Sequence, residues 1–194
     1  MNEIRQDLLK KIGITKSENE LKLFDWHNIS SSRRLPIEFI REFHNELHWR
    51  VLSEKTILSD DIIREFRKKV DWYHISEFQT LSSDFIREFK YQLDWFYISI
   101  GQKLSEESIR EFQDILDWNM ISIFQTLSET FILEFHNEIN WDYYLKNKNL
   151  SFPILKKFAL KLDPASLSFD DLCLSDEQKR EIQRIIDIRN LFIK

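Results

Sequence analysis

Two histidines four residues apart are the feature whose spacing comes nearest to that of a metal or catalytic site. His44 and His48 can lie on one face of a helix, from which two imidazoles can ligate zinc. The intervening Glu46 stands at neither glutamate position of the HExxH and HxxEH zinc motifs. The matching segment later in the chain ends in Asn140, where a second histidine would be needed. We therefore expect no metal site and interpret His48 as a helix cap.

Other catalytic chemistry has little support in the residues. The chain has two glycines, so neither GxGxxG nor GxxxxGK[ST] can be written. Its single cysteine, Cys173, lies between Leu172 and Leu174, a setting that favours a buried apolar thiol over a nucleophile. Carboxylates are plentiful, but their positions at helix starts already explain them. We expect no enzyme activity and no cofactor.

Arginine and glutamate recur together every 23 residues. These pairs, here called the arginine column, are Arg41-Glu42, Arg64-Glu65, Arg87-Glu88 and Arg110-Glu111. The next repeat keeps only the glutamate, Glu134. In one interpretation, each arginine pairs with the glutamate of the next repeat, where an exposed ion pair contributes about 0–1 kcal/mol. In the other, the guanidinium groups bind the phosphates of a nucleic acid. The net charge of -5 weakens the second interpretation, because an acidic chain repels nucleic acid.

Nucleic-acid binding nevertheless stays open as the alternative function, because basic residues cluster locally. The residues predicted to carry it are Arg41, Arg64, Arg67, Lys68, Lys69, Arg87 and Arg110. A second basic cluster comprises Lys146, Lys148, Lys156, Lys157 and Lys161.

Six tryptophans, each 23 residues after the last, reveal the elements that position these side chains. They are Trp26, Trp49, Trp72, Trp95, Trp118 and Trp141. The repeated frame reads W-x-x-I-S-x-x-x-x-L-S-x-x-F-I-R-E-F-x-x-x-L-D and covers residues 26–163 without an insertion. Self-similarity at a fixed short period is typical of solenoid proteins.

Capping residues divide each repeat into two helices. An aspartate such as Asp71 precedes the tryptophan and can cap a helix A of about seven residues. A serine such as Ser82 can cap a helix B of about ten residues, whose apolar positions have helical spacing. Helices this short need packing against their neighbours. We predict an all-α fold, an α-solenoid of six helical hairpins in which tryptophan and phenylalanine rows interlock between layers.

Both ends of the chain are expected to cap the solenoid with helices. Residues 1–25 hold a degenerate repeat, with Thr15 to Glu18 as a capping-box candidate. Residues 164–194 hold a second capping box at Ser175 to Gln178, which opens an amphipathic helix.

Positions that vary within the fixed frame are the natural candidates for recognition. In helix A of the middle repeats they are largely apolar or aromatic, although the frame predicts that they face solvent, and such patches are typical of partner sites. The predicted partner-binding residues are Tyr73, His74, Phe78, Phe96, Tyr97, Ile100, Asn119, Met120, Ile123 and Phe124. The alternative is that a tilted helix A uses some of them to fill gaps between repeats.

The repeat resembles a family of short tandem helical repeats found in proteins of large DNA viruses, phages and some bacteria. Ile75-Ser76, Leu81-Ser82 and the run from Phe85 to Phe89 carry the resemblance, which covers residues 26–163. It implies a binding scaffold, and a viral or phage factor that acts on a host protein, without implying a role for any residue.

The N-terminal residues are too polar for a secretory signal, and no run of about 18 apolar residues could span a membrane. A lone cysteine fits a reducing compartment. We expect an intracellular, cytoplasmic protein without membrane contact, in the host cytoplasm if it is viral, that binds a protein partner.

Overall fold

The structure, a computed structural model, describes residues 3–147, 151–161 and 174–192. Pro164, Cys173 and Lys148 lie outside the described residues. Those described form fourteen α-helices and no strand, so the all-α prediction is confirmed. The chain divides into two compact units, residues 1–102 and residues 103–194.

Twelve of these helices follow the six repeats in order, two to each, and one further helix lies near each end of the chain. The first unit contains α1 (Glu3–Lys11), α2 (Leu23–Ser30), α3 (Ile37–Glu42), α4 (Trp49–Lys55), α5 (Asp60–Glu65), α6 (Trp72–Phe78), α7 (Ser83–Glu88) and α8 (Trp95–Gly101). The second contains α9 (Glu106–Glu111), α10 (Trp118–Phe124), α11 (Glu129–Glu134), α12 (Trp141–Asn147), α13 (Phe152–Phe158) and α14 (Asp176–Phe192). Short 3-10 turns occupy Glu18–Glu20 and Ala159–Lys161.

Helix A starts where its aspartate predicts. The Asp71 carboxylate accepts the backbone N–H of His74 at 3.2 Å, and Asp117 accepts that of Met120 at 3.2 Å. The helices that follow, α6 and α10, each have seven residues, as predicted. In the first repeat, however, α2 starts at Leu23, three residues before Trp26, and Asp25 bonds back to the N–H of Lys22.

Helix B is shorter than predicted: it has six residues, or seven in α13, instead of about ten. Its serine cap is as expected, since Ser82 Oγ accepts the N–H of Phe85 at 3.1 Å. Phe89 then ends α7 at φ -110° and ψ 21°, and a turn follows. Beyond α5 of the preceding repeat, the Arg67 carbonyl accepts the Trp72 indole N–H at 3.2 Å. The Asp71 N–H, which a longer α5 would direct to that carbonyl, bonds to Ser53 Oγ instead.

A serine four residues after the tryptophan joins one repeat to the next. Ser76 Oγ donates to the Trp72 carbonyl at 2.8 Å and accepts the Asp94 N–H, just before α8, at 2.9 Å. The same bond to the following repeat is made by Ser30, Ser53 and Ser122. These serines therefore position the start of each following helix A.

A buried glutamine column makes a second connection between repeats. Gln79 Oε1 accepts the Leu58 N–H at 2.9 Å, and its Nε2 donates to the carbonyls of Ser53 and Thr56, both at 2.8 Å. Gln102 repeats the pattern with the Leu81 N–H and the Gln79 carbonyl. The glutamines thus satisfy backbone groups at the end of the preceding helix A.

The tryptophans pack differently from the prediction. The indoles of Trp26, Trp49, Trp72, Trp118 and Trp141 each contact a phenylalanine of their own repeat. The ring centroids are 5.0 Å apart for Trp72 and Phe89 and 4.6 Å apart for Trp141 and Phe158. The predicted interlocking of these rows between layers is therefore wrong for these pairs. Successive repeats pack instead through helix A, in the order α2, α4, α6 and α8 in the first unit and α10 to α12 in the second.

The N-terminal region closes on the first repeat through Arg5. Its guanidinium group lies 2.7 Å from both Glu18 and Glu46 and 4.2 Å from the centroid of the Phe43 ring. The capping box is formed by Ser17 and Glu20, instead of starting at Thr15, because the Glu20 carboxylate accepts the Ser17 N–H at 2.8 Å.

The C-terminal cap follows its prediction. Ser175 and Gln178 exchange the two bonds of a capping box at the start of α14. The apolar face of α14 buries Ile182 and Ile186 completely, and the helix packs on α13.

We predict that Gln79→Ala lowers the free energy of unfolding by about 2–4 kcal/mol, because it strands a buried N–H and two carbonyls. Urea unfolding followed by circular dichroism measures the change. Gln92→Ala, at an exposed position of the same unit, should change stability by less than about 0.5 kcal/mol. Equal effects from the two variants would contradict the role assigned to Gln79.

Candidate functional site

Four aromatic side chains form a surface cluster on α6 and α8 of the first unit, here called the aromatic cluster: Tyr73, Phe78, Phe96 and Tyr97. Tyr73, Phe78 and Phe96 are 47%, 48% and 45% exposed, and Tyr97 is half-buried. Large aromatic side chains are usually buried in the hydrophobic core, whereas these four are accessible to solvent.

Ring contacts and a hydrogen bond fix the aromatic cluster across the two helices. The Tyr73 and Tyr97 rings meet edge to face with centroids 4.9 Å apart, and their hydroxyl groups are hydrogen-bonded. Phe96 lies edge-on to Tyr97 at 5.4 Å. Because α6 and α8 pack directly together, side chains 24 residues apart become neighbours.

The predicted residue His74 is buried instead of facing solvent. Its ring stacks on Phe78 at 6.0 Å, and its Nδ1 atom lies 3.0 Å from an Asp71 oxygen. The physical reason is that the second residue after the tryptophan turns partly toward the neighbouring helix A. The alternative that some variable positions fill gaps between repeats therefore applies to His74. Its buried ring packs against the exposed rings of Tyr73 and Phe78.

The Tyr97 hydroxyl in the aromatic cluster remains uncharged well above neutral pH. The hydrogen bond with Tyr73 raises the pKa of Tyr97 to about 12, and the negative charges of Glu77 and Asp94 add to the rise. Tyr73 and Tyr97 are each predicted as partner-binding residues, but no motif predicts that they pair, because neither their residue types nor their spacing matches one. A search for aromatic residues one repeat and one position apart would have found the pair.

The remaining predicted partner-binding residues are less uniformly exposed. In the first unit, Ile100 is half-buried on α8. In the second unit, α10 carries Phe124, which is 50% exposed, and half-buried Met120 and Ile123. Asn119 is exposed, and its Oδ1 atom accepts the Asn140 side-chain amide at 2.7 Å.

The arginine column forms an ion-pair ladder between repeats. Arg41 lies 2.9 Å from Glu65, Arg64 lies 2.6 Å from Glu88, and in the second unit Arg110 lies 2.8 Å from Glu134. Hydrogen bonding by Glu88 raises the pKa of Arg64, and hydrogen bonding by Arg110 lowers the pKa of Glu134. Each of these three guanidinium groups therefore faces a carboxylate of the next repeat.

The other basic residues considered for nucleic acid have varied surroundings. Arg87 lies 2.8 Å from Asp84, Arg67 donates to the Arg64 carbonyl at 3.3 Å, and Lys69 donates to Asn45 at 2.6 Å. Lys68 is exposed. Of the second basic cluster, Lys156 pairs with Glu181 at 2.6 Å.

The two histidines that suggested a metal do not converge. His44 Nδ1 lies 2.8 Å from the Arg41 carbonyl, while the His48 ring packs edge-on to His27 at 5.6 Å. His48 does occupy the cap position of α4, but its side chain makes no capping hydrogen bond. Within the described ranges, no group of three His, Cys, Asp or Glu side chains is arranged to hold a metal ion.

Comparisons with known proteins do not assign the chain to a family. No protein-family model, curated protein or solved structure matches the chain. Among the residues that the structure describes, no helix has the length and apolar character needed to cross a bilayer.

We predict that Arg110→Gln raises the pKa of Glu134 toward the ordinary glutamate range, because the hydrogen bond that favours the carboxylate is lost. Carboxyl carbon shifts followed by NMR during an acid titration measure it. Since the pKa of Glu134 is lowered by folding, the ladder stabilises the protein above the ordinary glutamate range and stops doing so as the pH falls through the lowered pKa. An unchanged titration would contradict the ladder, and Lys103→Gln in the same unit is the control.

Proposed function

We propose that this protein is a non-enzymatic repeat scaffold that binds a protein partner through variable helix-A side chains of its middle repeats. The observation that carries the proposal is the aromatic cluster, in which four large rings lie at the surface. Tyr73, Tyr97 and Phe96 contact one another, and Phe78 stacks on His74. Exposed apolar patches are typical of interaction surfaces, and aromatic residues are frequent anchors in them.

The contrast between frame and variable positions supports this function. The frame phenylalanine Phe85 and the frame isoleucine Ile75 are fully buried, so the fold needs them. Phe96 and Phe78 are about half exposed and occupy positions where other repeats carry asparagine or glycine. The scaffold does not require their side chains, which leaves recognition as the reason for large apolar rings there.

Ordering of the rings also favours binding. The hydrogen bond between Tyr73 and Tyr97 and the contact of Tyr97 with Phe96 restrict the side chains before any partner arrives. A partner then loses less affinity to the entropy of fixing them. Nucleic-acid binding is the weaker hypothesis, because Arg41, Arg64 and Arg110 already face carboxylates.

The proposal extends to biology through the repeat itself. Its resemblance to repeats of large DNA viruses and phages supports a viral or phage factor that acts on a host protein in the host cytoplasm.

We predict that the double variant Phe78→Ser and Phe96→Ser loses capture of a specific partner while its helical circular dichroism stays unchanged. The measurement is quantitative affinity capture from host cells, followed by mass spectrometry, with the wild-type protein alongside. Tyr91→Ser is the matched control, because Tyr91 is 87% exposed and lies outside the aromatic cluster.

A second double variant tests whether α10 also contributes to binding. Met120→Ser with Phe124→Ser tests whether the second unit contributes, and partial loss of the same partner is expected. If the Phe78 and Phe96 double variant captures the same proteins as the wild type and the Tyr91 control, the site is wrong.

A further inference from the structure

We infer that the partner segment bound by the aromatic cluster is cationic, a peptide stretch that presents an arginine or lysine beside an apolar side chain. This inference rests on the proposed function and specifies the partner's chemistry. Its basis is the juxtaposition, on α6 and α8, of exposed ring faces with carboxylates and without a basic residue.

The ionisable side chains around the aromatic cluster are mainly acidic. Helices α6 and α8 contain no lysine or arginine, and their charged residue is Glu77, between His74 and Phe78 in the chain. The caps of the two helices are Asp71 and Asp94. Both Glu77 and Asp94 act electrostatically on the Tyr97 hydroxyl, which places negative charge beside the rings.

Glu77 is the carboxylate best placed to receive a partner's charge. The Asp71 carboxylate is engaged by His74, and that of Asp94 accepts the Phe96 N–H at 3.0 Å. Within the part of the chain that the structure describes, the half-buried Glu77 side chain makes no hydrogen bond or ion pair. Glutamates in the ion-pair ladder, such as Glu88 with Arg64, connect successive repeats. Among the described residues, Glu77 makes no such connection.

Ring faces and a carboxylate together select a cation. The negative face of a tyrosine or phenylalanine ring attracts an ammonium or guanidinium group, and arginine also stacks on such rings. A carboxylate beside the rings adds a charge-assisted hydrogen bond and repels an acidic segment. An apolar side chain next to the cation would cover the remaining ring surface.

The neighbouring helix A marks the limit of this acidic surface. Helix α4 carries Arg50 and Lys55, and Lys55 is already paired with Glu54. Glu54 occupies the position in α4 that Glu77 occupies in α6. A cationic segment is therefore attracted to α6 and α8 in preference to α4.

The test uses an immobilised library of short synthetic peptides that place Arg, Lys, Gln or Glu at one position between apolar residues. The strongest binder and its Gln and Glu analogues are then measured in solution by fluorescence anisotropy with the full chain. We expect the Arg or Lys peptide to bind more tightly than the Gln analogue, and Glu77→Gln to weaken it by about two- to fivefold. The affinity should also fall as salt is added.

Glu38→Gln is the matched control, since Glu38 is exposed on α3, outside the aromatic cluster. It should leave peptide affinity unchanged. Circular dichroism verifies that the Glu77→Gln variant is folded.

The failures can be told apart. If neutral or acidic peptides bind as tightly as basic ones, or if Glu77→Gln has no more effect than Glu38→Gln, the cationic partner is wrong while the binding site stands. If the full chain instead self-associates and the Phe78 and Phe96 double variant prevents it, the occupant is a second copy and the inference is overturned. If peptide binding persists in that double variant, the proposed site itself fails.

Discussion

A helix of six or seven residues has almost no interior, and this constraint governs the rest of the structure. Four N–H groups and four carbonyls at the helix ends lack intrahelical partners, and nucleating so short a helix is unfavourable. The chain meets the constraint with side chains from neighbouring repeats. Ser76 accepts the N–H that precedes the next helix A, and Gln79 bonds to carbonyls at the end of the previous one. Each repeat is therefore completed by its neighbours.

This arrangement explains how one scaffold can carry different surfaces. The tryptophan, isoleucine, serine and glutamine positions of helix A are committed to packing and to hydrogen bonds between repeats. The two positions after the tryptophan, and the two after the serine, take no part in the serine and glutamine hydrogen bonds that recur between repeats. The hydroxyl bond between Tyr73 and Tyr97 forms where both residues are tyrosine. These four positions differ widely between repeats, from Arg50 in α4 to Phe96 in α8. Recognition residues can thus change without loss of the helices that present them.

Periodic features were predictable from the sequence, whereas competition between backbone partners was not. The 23-residue spacing of the tryptophans and the caps at Asp71 and Ser82 predicted the helix starts, because capping depends on local residues. Beyond helix B the backbone finds tertiary partners: the Arg67 carbonyl bonds to the Trp72 indole, and the Asp71 N–H bonds to Ser53. Such partners depend on packing and cannot be predicted from local residues. Burial of His74 and pairing of Tyr73 with Tyr97 likewise depend on how closely successive helix-A segments approach.

Hydrogen exchange at the amides of Leu58 and Leu81, followed by NMR, tests this account most directly. Both residues precede helix B and lie outside the helices, and their N–H groups donate to the side chains of Gln79 and Gln102. If neighbouring repeats complete one another, these two amides will exchange as slowly as the amides of buried helical residues such as Ile75. Exchange at the rate of an exposed loop would contradict the claim that hydrogen bonds between repeats hold the scaffold together.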